Sequence, residues 1–169
     1  MRKRLCLIFI FLFMLGTVSC SRAEAKYDYT SLTGGSFCAL VCGEWNGVSV
    51  EAKVEVESGE GARDFYVRFL SDSLSEVIVR REGGKVIISR GGVEERNFYM
   101  GGLCELAEIF CPDSTVFLRE ETYGGEVMGV LSASFGELAY EITVKEGGVP
   151  LKIEGGGFSL SVKEFALVK

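Results

Sequence analysis

The sequence predicts an all-β dominated (α+β) fold: a curved antiparallel sheet of about eleven strands forming an unclosed half-barrel, with one short amphipathic helix as its lid. Three observations predict it. Apolar and polar residues alternate along segment after segment, glycine-bearing turns separate the segments, and the period shifts to that of a helix at one place only beyond the N-terminal apolar run.

The chain opens with Arg2, Lys3 and Arg4, followed by an apolar run from Leu5 to Val18 without an acidic residue, the pattern of a secretory signal. The run falls short of the roughly 20 residues that span a bilayer. Two cleavage positions compete. Gly16, Thr17, Val18, Ser19, Cys20 resembles a bacterial lipoprotein box, after which Cys20 would be the mature N-terminus and carry a diacylglyceryl thioether. Ala23, Glu24, Ala25 is a small-residue site that would release a soluble protein starting at Lys26. Position favours Cys20, which stands at the end of the apolar run, and a doubly acylated cysteine anchors stably where one chain does not. On this assignment residues 1–19 are the signal, 20–35 a tether and 36–169 a single domain.

Removing residues 1–19 leaves 150 residues, enough for one domain with a hydrophobic core. It also takes three basic residues and no acidic one, leaving 15 basic against 24 acidic and a net charge of −9. Such a surface repels nucleic acid and anionic headgroups, so no nucleic-acid partner is expected and the lipid at Cys20 must hold the membrane. Of the remaining cysteines, Cys38 and Cys42 share one face of a strand-like stretch, and Cys104 and Cys111 lie about 10 Å apart by helical rise. Neither pair can bridge within its own element. A pairing between the two stretches and a set of small apolar core residues both remain open.

Residues 36–45, Asn46-Gly47 and Val48 to Glu57 form the clearest hairpin, because Asn-Gly supplies the two positive φ angles of a type I′ turn. In the second arm Val48, Val50, Ala52, Val54 and Val56 alternate with Ser49, Glu51, Lys53, Glu55 and Glu57, so one face is buried and the other wet. Further strands are predicted at 63–70, 75–81, 85–90 and 93–99. At 102–111, Leu103, Leu106, Ala107 and Phe110 fall at the i, i+3, i+4, i+7 spacing of an amphipathic helix, and Pro112 stops it. Strands resume at 115–122, 126–134, 138–145, 149–154 and 157–165.

A meander of this size, apolar on one face, must curl to hide that face. The inward set is drawn from Phe65, Val67, Phe69, Val77, Val79, Val86, Ile88, Val116, Leu118, Leu131, Tyr140, Ile142, Val144, Leu151, Ile153, Leu160 and Val162. A concave surface this large exceeds what one three-turn helix covers, and side chains, a ligand or a partner must fill the rest. If a ligand does, the residues expected to line its site are Phe65, Val67, Phe69, Val79, Ile88, Leu106, Phe110, Leu131 and Ile142.

The strand rhythm over 37–165, the helical stretch inserted at 102–111 and the ending Val149, Pro150, Leu151, Lys152, Ile153 before a last strand resemble the LolA and LppX-like lipoprotein-carrier superfamily. The resemblance implies an unclosed barrel with helices at its mouth and an interior that receives acyl chains. Carriers of this kind usually have a substantial helix before the first strand, whereas residues 21–35 are polar and expected to form none. A soluble shuttle is also not anchored. The resemblance therefore points to anchored Gram-positive members that hold a partner protein at the membrane, some in spore germination, at the extracytoplasmic face of the cell membrane.

No histidine occurs, which removes the commonest general base and most zinc sites. The adjacent carboxylates Glu94-Glu95 and Glu120-Glu121 point to opposite faces of a strand and cannot converge on one atom. No calcium loop or phosphate-binding loop has the required spacing. Trp45, the only tryptophan, packs across its own hairpin or contacts a ligand at the hairpin end. The expectation is a non-enzymatic, lipid-anchored binding protein, without metal or cofactor, whose concave face takes an apolar ligand or a partner protein. The alternative is a structural lipoprotein that fills its own core and holds a partner elsewhere.

Overall fold

The computed structural model of the chain describes residues 25–58, 63–83, 85–95 and 102–168. β1 (Phe37–Trp45) and β2 (Val48–Glu57) form the predicted hairpin, with Asn46 at φ 50° and Gly47 at φ 78°. β3 (Asp64–Phe69), β4 (Val77–Glu82), β5 (Lys85–Arg90) and β6 (Val93–Glu95) follow; residues 96–99, expected to extend β6, lie outside the described residues. The second run comprises β7 (Ser114–Tyr123), β8 (Glu126–Phe135), β9 (Leu138–Val144), β10 (Pro150–Gly155) and β11 (Phe158–Leu167).

All eleven join one sheet in the order β6-β5-β4-β3-β2-β1-β11-β10-β9-β8-β7. Each neighbouring pair is antiparallel. The chain thus starts in the middle of the sheet, winds out to one edge, crosses to the other edge and winds back to lie beside β1. The crossing, residues 102–113, has to pass over a face of the sheet.

That face is strongly concave. β4 and β9 stand six strand steps apart, about 29 Å if flat at roughly 4.8 Å per step. Yet Arg81 of β4 pairs with Glu108, and the Tyr140 hydroxyl of β9 donates to the carbonyl of Ile109 at 2.9 Å. Two adjacent residues of the crossing are reached from both halves, which only a curled sheet allows. The fold is therefore an unclosed antiparallel half-barrel, as the alternation predicts.

The cover differs from the expected helix. Residues 102–111 form two short 3-10 turns, Leu103–Leu106 and Glu108–Phe110, instead of one amphipathic α-helix. A 3-10 turn rises about 2.0 Å per residue against 1.5 Å, so the same residues reach further between the edges. The buried side chains obey a period of three: Leu106 with Ile109, and Ala107 with Phe110. The helical stripe missed Ile109.

The stretch before β1 also departs from expectation. Residues 25–35, assigned by sequence to the tether, bury Tyr27, Tyr29 and Thr33 and include the helical turn α1 (Tyr29–Thr33), capped by the Asp28 carboxylate accepting from the Ser31 N–H at 2.9 Å. Five residues are too few to show a stripe. The side chains that bury in the core from this stretch are two tyrosines, Tyr27 just before the turn and Tyr29 at its start.

Most of the inward set is buried in that same core, with Leu151 half-buried. Val86, Val116 and Leu118 are corrections: each is exposed, as is Val48 beside the first turn. Val86 lies in β5, beside the outermost described strand on its side of the sheet, and Val116 pairs with Ser132 on the convex face, opposite to the inward Thr115 and Phe117. Leu118 sits at a register shift in β7 that releases it from the alternation.

Candidate functional site

The concave face is the candidate site, and its own chain closes it. Phe65, Val67, Phe69, Val79, Ile88, Leu106, Phe110, Leu131 and Ile142, the expected lining, all belong to one buried cluster. Val67, Val79, Leu106, Phe110 and Ile142 have no accessible surface at all (0%). A side chain that a water-sized sphere cannot touch leaves no room for an acyl chain against it. These residues are brought together as core.

Two tyrosines lock the crossing down. The last carbonyls of a helical turn have no partner within it. Here Tyr29 Oη donates to the Phe110 carbonyl at 2.8 Å and Tyr140 Oη to the neighbouring Ile109 carbonyl. Burial pushes the Tyr29 phenol well above its ordinary value, and burial does the same to Tyr140. Phe37 stands 5.9 Å from the Phe110 ring and 5.2 Å from Phe165, which fixes the far side of the crossing to the middle of the sheet.

At the mouth, Arg81 pairs with Glu108 while its guanidinium lies 4.8 Å from the centre of the Phe65 ring. Arg63 Nη1 donates to the Thr33 carbonyl at 2.6 Å and to Cys111 Sγ at 2.9 Å, tying α1, β3 and the end of the crossing together. Burial raises the Cys111 thiol pKa, and the Arg63 charge opposes that rise. A pocket of about 300 Å³ opens here, lined by Arg63, Arg81, Glu108, Cys111 and Phe135 among others.

At the other side, the start of the described chain straps across β7 and β8. Tyr27 stacks on Phe117 at 5.8 Å and lies over Gly129, where a Cβ would come within 2.5 Å of its ring. Its hydroxyl donates to Glu120 at 2.7 Å, and Lys26 Nζ reaches the same carboxylate at 3.2 Å. The Tyr27 bond and then Lys26 hold the Glu120 pKa below its ordinary value. The Lys26 carbonyl accepts from the Gly147 N–H at 2.9 Å. A groove of about 380 Å³ lies between this strap and the inner side of β7 and β8, lined by Ala25, Tyr27, Asp28, Thr30, Thr115, Phe117 and Leu131.

Several expected roles change. Cys38 and Cys42 alternate with the buried residues of β1 and so stand half-buried on the convex face, outside the core; burial raises the Cys38 thiol pKa. Cys38, Cys42 and Cys111 carry free thiols, and the Cys104 side chain lies outside the described residues. Trp45 is buried and stacks on Phe158 of β11, 4.5 Å away at 16°, while Val48 is its ladder partner in its own hairpin. Glu120 and Glu121 diverge as expected, pairing with Lys26 and Arg119; Glu94 pairs with Arg80, and the Glu95 side chain lies outside the described residues. Cys20 lies outside the described residues.

Among the described residues no group of three or more histidine, cysteine or acidic side chains is arranged to hold a metal, and no helix is long and apolar enough to cross a membrane. The site can exclude water, present edges and bind surfaces. Sequence reasoning missed Tyr27, Tyr29, Arg63 and the Arg81–Glu108 pair, and the alternating tyrosines were the one local signal for the first two.

No family model matches the chain. No curated protein matches it in sequence. Solved structures match it in fold. An uncharacterized conserved protein from Thermus thermophilus aligns over 88% of this chain and 88% of its own, at 17% identity and a TM-score of 0.57. MucB aligns over 90% of this chain and 60% of its own, at 14% identity and a TM-score of 0.52, so the chain spans less than two thirds of MucB. MucB in complex with MucA(peri) aligns over 86% of this chain and 56% of its own, at 18% identity and a TM-score of 0.49. At these identities the likeness is one of architecture alone.

Proposed function

We propose that the chain is a membrane-anchored extracytoplasmic lipoprotein that holds a partner protein on the outside of its half-barrel. The single observation that carries this reading is the filled concave face: the residues expected to line an acyl site are all buried, and Val67, Val79, Leu106, Phe110 and Ile142 have no accessible surface. Of the two uses of such a fold, taking up a ligand and holding a partner, self-filling favours the second. A protein of similar architecture, MucB, has a structure in complex with MucA(peri), and partner-holding by the present chain is in keeping with that.

Anchoring rests on Cys20. The acidic surface gives the domain little affinity of its own for anionic lipid, so the acyl chains supply the attachment. Catalysis has no support in the residues: histidine is absent, and Glu120 and Glu121 pair with different basic side chains.

The test is co-purification of the full membrane-anchored chain after crosslinking in cells, followed by protein and lipid mass spectrometry. A stoichiometric protein partner is the expected result. Bound lipid beyond the anchor, without a protein, would overturn the reading in favour of a carrier.

A further inference from the structure

The edge of the sheet at β7 is built unlike the edge at β6. Among the described residues β6 contributes three residues, two of them glutamates, which is how edges are normally kept from pairing. β7 is ten residues long and has β8 as its ladder partner. It divides at the register shift between Phe117 and Arg119. Beyond the shift come Arg119, Glu120 and Glu121, a charged and protected edge. Before it come Ser114, Thr115, Val116 and Phe117, with no charge and no proline.

Two apolar surfaces flank that unprotected half. Val116 pairs with Ser132 and faces the convex side, 57% exposed, with Leu118 next to it at 46%. Thr115 and Phe117 pair with Ala133 and Leu131 and face inward, where they form one wall of the 380 Å³ groove under the N-terminal strap. An added strand beside β7 would point alternate side chains to these two surfaces, since successive residues of a strand face opposite ways. Its inward side chain would enter a groove whose other wall is Tyr27, Asp28 and Thr30.

We propose that the edge of β7 over Ser114–Phe117 takes an extended, basic and apolar segment of the partner protein as a twelfth strand, one of its side chains seated in the groove. Main-chain hydrogen bonds to the edge supply affinity, and the groove supplies specificity. Charge selects the segment: around this edge the acidic Asp28, Glu120, Glu121 and Glu141 outnumber the Lys26 and Arg119 that pair with the three glutamates, and the chain beyond residue 19 carries a net charge of −9. The proposal rests on the partner-holding reading and gives it a surface.

The probe is an eight-residue peptide of alternating valine and lysine, with a control peptide methylated at alternate backbone nitrogens, added to the full-length chain in nanodiscs. Hydrogen exchange at Thr115–Phe117 is expected to slow about tenfold with the first peptide and to be unchanged by the second. The double variant Val116→Lys, Leu118→Lys, which alters two exposed side chains, is expected to weaken peptide binding about tenfold and to lose the crosslinked partner in cells. Equal binding of the methylated peptide, or protection at another part of the sheet, overturns the proposal. So does a partner that co-purifies equally with wild type and double variant, and that outcome leaves partner-holding intact. Absence of any partner from the wild type would instead overturn partner-holding, while protection of β7 by the peptide would still support the edge as a strand acceptor.

Discussion

Replacing Tyr29 with phenylalanine removes a single hydroxyl, and the structure fixes what that hydroxyl does. It donates to the Phe110 carbonyl at 2.8 Å between two residues that are fully buried. Without it the carbonyl at the end of the crossing keeps no donor from this side chain, and water cannot enter to replace it. A buried acceptor left unsatisfied costs about 1–3 kcal/mol. In a domain of this size each kcal/mol lowers the melting temperature by about 2–4 °C, so a loss near 2 kcal/mol predicts a fall of about 4–8 °C. Circular dichroism of the full-length chain at pH 7 measures the shift, and hydrogen exchange over residues 102–111 locates it. Tyr140→Phe acts on the adjacent Ile109 carbonyl, and the double variant should cost less than the two losses added, because both hydroxyls secure the same segment. If Tyr29→Phe stays within about 0.5 kcal/mol of wild type, with unchanged exchange in the crossing, the account of how the cover is held is refuted.

The remaining predictions use other contacts. Gly129→Ala places a methyl within 2.5 Å of the Tyr27 ring and should displace the N-terminal strap at a cost of about 1–3 kcal/mol; limited proteolysis near Lys26 reads it, and Tyr27→Ala in the same chain should relieve the clash. Ile142→Ala, at a fully buried position, should cost about 2–5 kcal/mol in urea unfolding, whereas Leu118→Lys on the exposed edge should change stability by less than about 0.5 kcal/mol. The buried phenols of Tyr29 and Tyr140 are raised from the ordinary value of 10.0, so they favour the folded state below that pH and lose this contribution as the pH climbs toward their folded values. Unfolding titrations from pH 8 to 12 should show a fall in stability above about pH 10, reduced in Tyr29→Phe. Glu120 behaves oppositely: its depressed value stabilises the fold above the ordinary 4.5 and is lost as pH falls through the folded value, a dependence that Glu120→Gln should remove.

Strand positions were legible because the information is local. Alternation marks β2, and Asn46-Gly47 ends the first hairpin with the φ angles its turn needs. Residues whose structure depends on distant partners were not. The crossing reads as a helix from its own spacing, yet its 3-10 form answers to a span between sheet edges that no local window contains. Tyr27 and Tyr29 sit in a polar stretch, and their burial is decided by Gly129, Phe117 and the Phe110 carbonyl, about 80–100 residues away. Val116 misled for the same reason: alternation says which residues share a face and not which face is the concave one, and here Thr115 and Phe117 take it. The lining residues were identified as neighbours correctly, while the space between them was settled by Ile109 and the tyrosines, which the helical stripe and the tether assignment left out.

The central claim is that the half-barrel fills itself and holds a protein instead of a lipid. Native mass spectrometry of the full-length chain, extracted gently from its membrane, tests this most directly. The predicted spectrum contains the anchored chain together with a stoichiometric protein partner and no acyl ligand beyond the lipid at Cys20. A chain that carries one additional lipid per copy and no protein would contradict the account.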